Sequence, residues 1–558
     1  MAYAYQKGFF NLTYIVWFLA IATLLASVGY PLFMLIYSSF VHEGHFSLRV
    51  YQQIMNEPET LEYTINTLVL GLIVTFFATI IGVLMAWVIT RTDLPYKGII
   101  RTIAVLPFIF PPYIGAIAWI QLAAPYIGYL NRLAMALGLP GNTFNIYTFW
   151  GLVMVMSFRF YVYTFLTTSA ALEQMDPSLE EAARMSGARM LKVAKDVTLR
   201  LVAPSIASGA LLTFVAVISN FGIPALIGSR AKYHVLTTKI YAAFSIPDID
   251  RATAYSIILL ILAGIGLYLQ RRLFRERKYT TITGKTVRPS VAHLGKWKIP
   301  VLVIVLVFVT ITAIIPLVSI IISAFLKEIR LNPLDPNSWT IENLYEVLFV
   351  NPDTTTAIRT SLFLATSAAT IITLYGALLA YIIVKTTIKG RMFLDWLSSV
   401  PYALPGTVVA IAIILAFIKT PIFNTIWILL LAYFVRYLSY GVRTVVGSLM
   451  QIDPSLEEAA RMCGANWLRT MKDIVMPLLK HGLIAAWILV FMPTLGELTV
   501  SIILYPPNNP TIGVATYNLM EEGQYNWAFA LAFIVAMVIM FANFLINKIT
   551  GRLGVRGL

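Results

Sequence analysis

Two thirteen-residue stretches of this chain are nearly identical. Asp176 to Ala188 reads DPSLEEAARMSGA, and Asp453 to Ala465, 277 positions on, reads DPSLEEAARMCGA. Their chemistry is that of docking, not of bond-making. Each opens with an aspartate able to cap a helix and a proline, Pro177 or Pro454, at the first helical position, where a missing N–H costs nothing. Glu180, Glu181, Glu457 and Glu458 follow in the early turns, favoured by the helix dipole. Ala182, Ala183, Ala459 and Ala460 leave a narrow face that another protein can approach. Gly187 and Gly464 permit a bend or tight contact that a side chain would block. A solvated face with i,i+4 pairing would explain one such copy. Two copies at matched positions point to a duplicated docking element.

A second set of residues is charged where charge is costly. Arg159 and Arg436 each fall midway along an apolar run and are 277 positions apart. Tyr163 and Tyr440 pair at the same offset, as do Asn220 and Glu497. A charge near a bilayer centre costs roughly 2.5–3.5 kcal/mol or more, so such residues face a path or a partner. They line or gate a substrate path, or they lock helices together, with Glu497 as a counter-ion for one arginine. No nucleophile–base pair and no pair of carboxylates stands out, so an enzymatic site is not supported. His42-Glu43-Gly44-His45 reads as a solvated segment, and no metal site is expected. Thr283-Gly284-Lys285-Thr286 has the tail of a phosphate-binding loop, but position 279, where that loop needs glycine, is Tyr279.

The elements that position these residues follow from composition. Hydrophobic residues make up 59% of 558 and charged residues 12%, with mean hydropathy +0.79. A soluble chain needs about 25% charged residues, so most of this surface faces lipid. A bilayer core needs about 20 apolar residues per helix. Such runs fall at 12–40, 62–90, 99–123, 148–173, 201–227, 252–270, 300–326, 360–385, 393–418, 421–448, 480–504 and 527–547. The fold class is an all-α polytopic membrane protein of about twelve transmembrane helices. Prolines in the third and ninth runs (Pro107, Pro111, Pro112, Pro401, Pro405) predict kinks. The formal charge of +15 is uneven: Lys and Arg crowd the loops after spans two, four and six, which places both termini and both repeats in the cytoplasm. These cations sit beside membrane spans, so nucleic acid is not a predicted partner. Cys463 is the only cysteine, and no internal disulfide is possible.

The halves match beyond the repeat. Gly82 and Ala86 pair with Gly376 and Ala380, and Pro107 and Pro111 with Pro401 and Pro405, all at an offset of 294. The offset falls to 277 at the repeat, which places about seventeen extra residues in half one around 124–146. Six spans per half give both halves one orientation, as in parallel transporter repeats with a pathway between them near the midplane. The division is 1–272 for the first half, 273–299 for a basic cytoplasmic linker and 300–558 for the second half.

At the repeated phrase the chain resembles the permease subunits of bacterial ABC importers, whose signature is Glu-Ala-Ala, three residues, Gly, nine residues, then Ile-x-Leu-Pro. Glu181-Ala182-Ala183 with Gly187 and Glu458-Ala459-Ala460 with Gly464 match its first part. Half two continues with Ile474 and Met476-Pro477; half one departs, with Arg200 at the proline position. The resemblance implies a transport subunit, not an enzyme, with no cofactor of its own. It implies two copies of a separate ABC ATPase, carrying ATP-Mg, seated at the two phrases. It also implies a periplasmic or lipid-anchored substrate-binding protein outside, and a bacterial or archaeal cytoplasmic (inner) membrane. The fused architecture, with Val235 to Tyr241 and Glu497 to Ser501, looks most like the ferric-iron permeases, so ferric iron or a chelate is the expected substrate. Related permeases handle thiamine, polyamines and phosphonates. A twelve-helix secondary transporter driven by an ion gradient would share the topology but leaves the two phrases unexplained.

Overall fold

A computed structural model describes residues 14–42, 45–176, 178–275 and 291–551. Half one runs α1 (Tyr14–Phe40), α2 (Pro58–Arg91), α3 (Lys97–Ile109), α4 (Pro112–Ala123), α5 (Phe149–Gln174), the short α6 (Ser178–Met185), α7 (Ala194–Ile218), α8 (Leu236–Ser245) and α9 (Ile249–Arg275). Half two repeats that order. It contains α10 (Gly295–Ala324), α11 (Pro352–Lys385), α12 (Arg391–Ala403), α13 (Gly406–Phe417), α14 (Ile426–Met450), α15 (Pro454–Met462), α16 (Leu468–Leu495), α17 (Ile512–Glu521) and α18 (Tyr525–Gly551). Ten of these are long and apolar enough to cross a bilayer, or twelve spans form if α3/α4 and α12/α13 each count as one.

Those two pairs are broken more sharply than the predicted kinks, by 99° and 112°. The cause is local. Phe110 and Leu404 each precede a proline, which pushes them out of the helical region, and both are extended, with ψ of 150° and 127°. Pro111 and Pro405 then supply no N–H and are themselves extended. Four carbonyls before each break lose their helical donors.

The runs at 201–227 and 480–504 also differ from expectation. Their helices begin earlier, at Ala194 and Leu468, because polar and basic turns continue the helix beyond the apolar stretch. They end earlier too, at Ile218 and Leu495. The chain then turns while still buried, through Phe221 and Ile227 in half one, before entering α8 and α17. The departure at Arg200 leaves this shape unchanged, since a wide π turn stands at matched places in both halves, at Ala194–Thr198 where α7 begins and at Met471–Val475 within the first turns of α16.

The predicted insertion is where the offsets place it. Twenty-five residues join α4 to α5, against eight between α13 and α14. Part of the longer connection forms a small helix, Tyr129–Ala136, held by buried Asn131, which bonds Ala124 and both backbone groups of Phe144.

The first helix of each half packs on the other half. Ala20 of α1 accepts a hydrogen bond from the Tyr375 hydroxyl of α11 (2.7 Å), and Tyr30 meets Phe417 of α13 edge-on. Phe308 of α10 packs on Phe158 and Tyr161 of α5, and Ser319 reaches the Ala118 carbonyl of α4. Within each half the matched small residues bring helices close. A Cβ on Gly82 of α2 would lie 2.7 Å from the Tyr161 carbonyl of α5, and one on Gly376 of α11 would lie 3.2 Å from the Val442 nitrogen of α14. In lipid, small residues of this kind permit the backbone approach that holds helices together.

Candidate functional site

The two repeated phrases form capped helices, as expected. The Asp176 carboxylate accepts the Ser178 N–H, and the Asp453 carboxylate accepts the Ser455 N–H, both at 2.9 Å. These bonds hold both carboxyls below the usual range. Pro177 lies outside the described residues; Pro454 opens α15. Gly187 and Gly464 end the helices with φ of +82° and +80°, the left-handed conformation glycine adopts without strain. Glu181, Ala182, Glu458 and Ala459 are exposed, while Ala183 and Ala460 are half-buried.

Glu180 and Glu457 are not on the exposed face, against expectation. Both are buried, because each packs toward the cation that ends the long second helix of its half. Glu457 pairs with Lys385 of α11 at 2.7 Å, and Glu180 stands 3.7 Å from Arg91 of α2 while accepting the Thr198 hydroxyl at 2.6 Å. Arg91 and Lys385 were missed by the sequence reading. Their signal was available, since each is the last residue of an apolar run and the two are separated by the same 294 positions. The first glutamate of each phrase is thus an anchor that ties the short helix to the membrane body, and the second remains free to meet a partner.

Half one has one further tie at this end. Asp93 accepts the Leu294 N–H at 3.0 Å and the Lys298 ammonium at 3.4 Å, and Ala292 bonds the Arg91 carbonyl. The start of half two is thereby strapped across the turn between α2 and α3. The backbone bond from Leu294 holds the Asp93 carboxyl down at about 2.

The intramembrane residues converge. Arg159, Arg436, Asn220 and Glu497 all line one cavity of about 420 Å³ between the halves, with Tyr163, Tyr402, Tyr437 and Tyr440. The cavity reaches from the helix breaks at Pro111 and Leu404 toward Arg101, Thr102, Asn543 and Ile546. Arg101 pairs at 2.5 Å with Glu173, just before α6, so this is the end at which the capped helices stand. Phe221, between the lining residues Asn220 and Gly222, packs with Tyr241 and Tyr517, with ring centroids 5.2–6.4 Å apart. Tyr241 and Tyr517 occupy matched places in α8 and α17, so their contact marks the approximate twofold axis. This aromatic cluster was not foreseen, because the apolar runs hid the breaks that create α8 and α17.

Each arginine donates to a carbonyl at a break, Arg159 to Pro107 and Arg436 to Leu404. The break explains the first choice, because Pro107's helical donor would be residue 111, a proline. Glu497 faces Arg436 across the cavity as an electrostatic partner but makes no direct ion pair with it. Its carboxylate accepts the N–H groups of Val500 and Ser501 and the Ser501 hydroxyl at 2.6 Å, and among the described residues no ion pair joins it to an arginine. Its mate Asn220 does the same, accepting the Ile223 N–H at 3.1 Å. Both therefore shape the turn after α7 or α16. The repeat extends to the next contact, since Thr67 accepts the Leu236 N–H and Ser361 accepts the Ile512 N–H.

His42 and His45 face one another across a two-stranded hairpin, while Glu43 and Gly44 lie outside the described residues, as does the segment 279–286. Among the described residues no cluster of three His, Cys, Asp or Glu is placed to hold a metal ion.

The family described as "Binding-protein-dependent transport system inner membrane component" matches residues 9–279 and 372–554. The chain belongs to this family. It is a multi-pass permease of the inner membrane, the transport component of an ABC importer. Family membership decides against the gradient-driven alternative. The permease is 25% identical over 521 residues to the ferric transport system permease protein FbpB of Actinobacillus pleuropneumoniae, covering 92% of this chain and 74% of that one. It is 24% identical to the Fe(3+)-transport system permease protein FbpB 2 of Haemophilus influenzae, covering 94% and 97%. A third relative is half as long. The putative 2-aminoethylphosphonate transport system permease protein PhnV of Salmonella paratyphi A is 26% identical over 43% of this permease and 90% of its own length. A single-half relative of that kind accords with two fused halves here.

Proposed function

We propose that this permease imports ferric iron or a ferric chelate, handed over by an extracytoplasmic binding protein and driven by two copies of a separate ABC ATPase. The observation that carries the mechanical part is geometric: α6 and α15, capped alike and each tied through its first glutamate to the cation ending its half's long second helix, stand at the same end of one cavity built by both halves. Glu181, Ala182, Glu458 and Ala459 form the ATPase-facing surface, with ATP-Mg bound on the partner. Both termini then lie in the cytoplasm with these helices, as the distribution of lysine and arginine supports. Closure of the ATPase dimer would pull α6 and α15 together. Their anchors would transmit that pull to α2 and α11, and so to the walls of the cavity.

The relatives named for ferric transport support the iron reading, and the phosphonate permease supports a second one. The test is uptake of ⁵⁵Fe(III) into vesicles holding the complete transporter. Accumulation that needs internal ATP, and persists when proton and sodium gradients are collapsed, is the expected result. Cross-linking from cysteine placed at Ala183 or Ala460 should capture the ATPase during turnover. Failure to capture it at either position would overturn the proposed seats.

A further inference from the structure

The cavity between the halves favours one sign of charge. Arg159 and Arg436 each use one N–H on a backbone carbonyl, and among the described residues neither makes an ion pair. The Arg159 Nε is buried without a partner. The one carboxylate among the described lining residues, Glu497, has its oxygens occupied by two backbone N–H groups and a hydroxyl. Its negative charge is held at the turn at 500–501, where it acts on Arg436, and one carboxylate offsets only one of the two guanidinium charges.

Helix ends add to the imbalance. The N-terminus of α4 lines the cavity through Pro111, Pro112 and Tyr113, of which only Tyr113 carries a backbone N–H, and α13 begins two residues beyond the lining Leu404. The first N–H groups of a helix lack partners within it and carry about half a positive charge. Broken membrane helices present such ends to anionic groups of a substrate. The opposing negative ends, those of α3 and α12, are the ones covered by the arginines. The phenols of Tyr163, Tyr402 and Tyr440 also line the cavity, and Tyr402 and Tyr440 are exposed within it. Two guanidinium forks, a helix N-terminus and phenolic donors suit the oxygens of an oxyanion, to which arginine binds through paired N–H bonds. They repel a bare metal cation.

We propose that the species occupying this cavity is an oxyanion of the phosphate, phosphonate or carboxylate class, crossing alone or as the oxygen ligand of a hard metal ion. Arg159 and Arg436 are its specificity-determining residues. The inference rests on reading the cavity as the substrate path, and it adds the chemical class of what passes.

Dual-label uptake tests it. The complete transporter, with its ATPase and binding protein, is reconstituted in vesicles and given ⁵⁵Fe(III) with ³³P-phosphate, then with ¹⁴C-citrate, then each anion without iron. Anion label entering with ATP, at one or more per iron or on its own, is the expected result. Iron label entering with no anion label overturns the inference and leaves the iron reading intact. Anion entering where iron never does overturns the iron reading and leaves the inference intact. If neither label enters, both fall. Arg159→Gln and Arg436→Gln should each lower anion uptake at least tenfold, and uptake within twofold of the unmodified chain overturns their assignment. If the glutamine variants do not assemble with the ATPase, Arg436→Lys carries the comparison. It keeps a charge and one donor for Leu404 but not the fork, and must raise the anion concentration for half-maximal uptake at least tenfold.

Discussion

Replacing Glu457 with glutamine should uncouple α15 from the membrane body. Glu457 and Lys385 approach to 2.7 Å with side chains only 7% and 10% exposed, so the pair is screened little by solvent. Removing one partner of a buried pair leaves the other charge uncompensated and costs on the order of 3–5 kcal/mol. At about 1.4 kcal/mol per tenfold, the lower figure shifts the docking equilibrium of α15 roughly a hundredfold. Lys385 keeps the Ile452 carbonyl at 3.2 Å, and the glutamine amide oxygen still accepts from it, which places the effect toward the low end. Hydrogen exchange of the 453–465 peptide reads the local effect, and the ratio of substrate imported to ATP hydrolysed reads the coupling. Exchange should quicken about a hundredfold, and the ratio should fall while hydrolysis continues. The double exchange Lys385→Glu with Glu457→Lys should recover much of both. Unchanged exchange in Glu457→Gln, or a reversed pair no better than either single change, would refute the anchor.

Three further outcomes follow from the same geometry. Gly82→Ala should lower thermal stability in detergent by about 1–3 kcal/mol, because its new carbon would meet the Tyr161 carbonyl at 2.7 Å, and Gly376→Ala should cost less, at 3.2 Å; equal effects would contradict the packing. Gly464→Ala should leave stability within about 1–2 kcal/mol yet impair coupling, since its φ of +80° orients the exit of α15 while its Cβ would meet open space; normal coupling would count against that role. The Asp93 strap should be insensitive to pH through the neutral range. Its carboxyl is depressed to about 2, so its contribution is present above the ordinary aspartate value near 4 and is lost only as pH falls toward 2. Amide exchange at Ala292 and Leu294, corrected for intrinsic rate, should stay flat from pH 8 to about 4, and loosening anywhere in that range would refute the Asp93 strap.

Local pattern alone was enough for the class, the number of apolar runs, the duplication and its insertion, and the two capped Glu-Ala-Ala helices. These are local properties: a run of apolar residues must find lipid, and a capped Glu-Ala-Ala segment must form a short helix, whatever surrounds it. Arg159, Arg436, Asn220 and Glu497 could also be singled out, because charge and amide in an apolar run are visible without coordinates. What each of them touches could not. Glu497 looked like an arginine's counter-ion; its charge does act on Arg436, but its direct bonds cap a turn, because the chain breaks after Leu495 within a run that reads as one continuous span. Glu180 and Glu457 looked as free as their neighbours, and they are buried because Arg91 and Lys385 arrive beside them from 89 and 72 residues upstream. The meeting of Tyr241 with Tyr517, and the crossing of α1 and α10 onto opposite halves, depend on how the two repeats face each other. That arrangement is set by contacts between distant segments, and no local pattern encodes it.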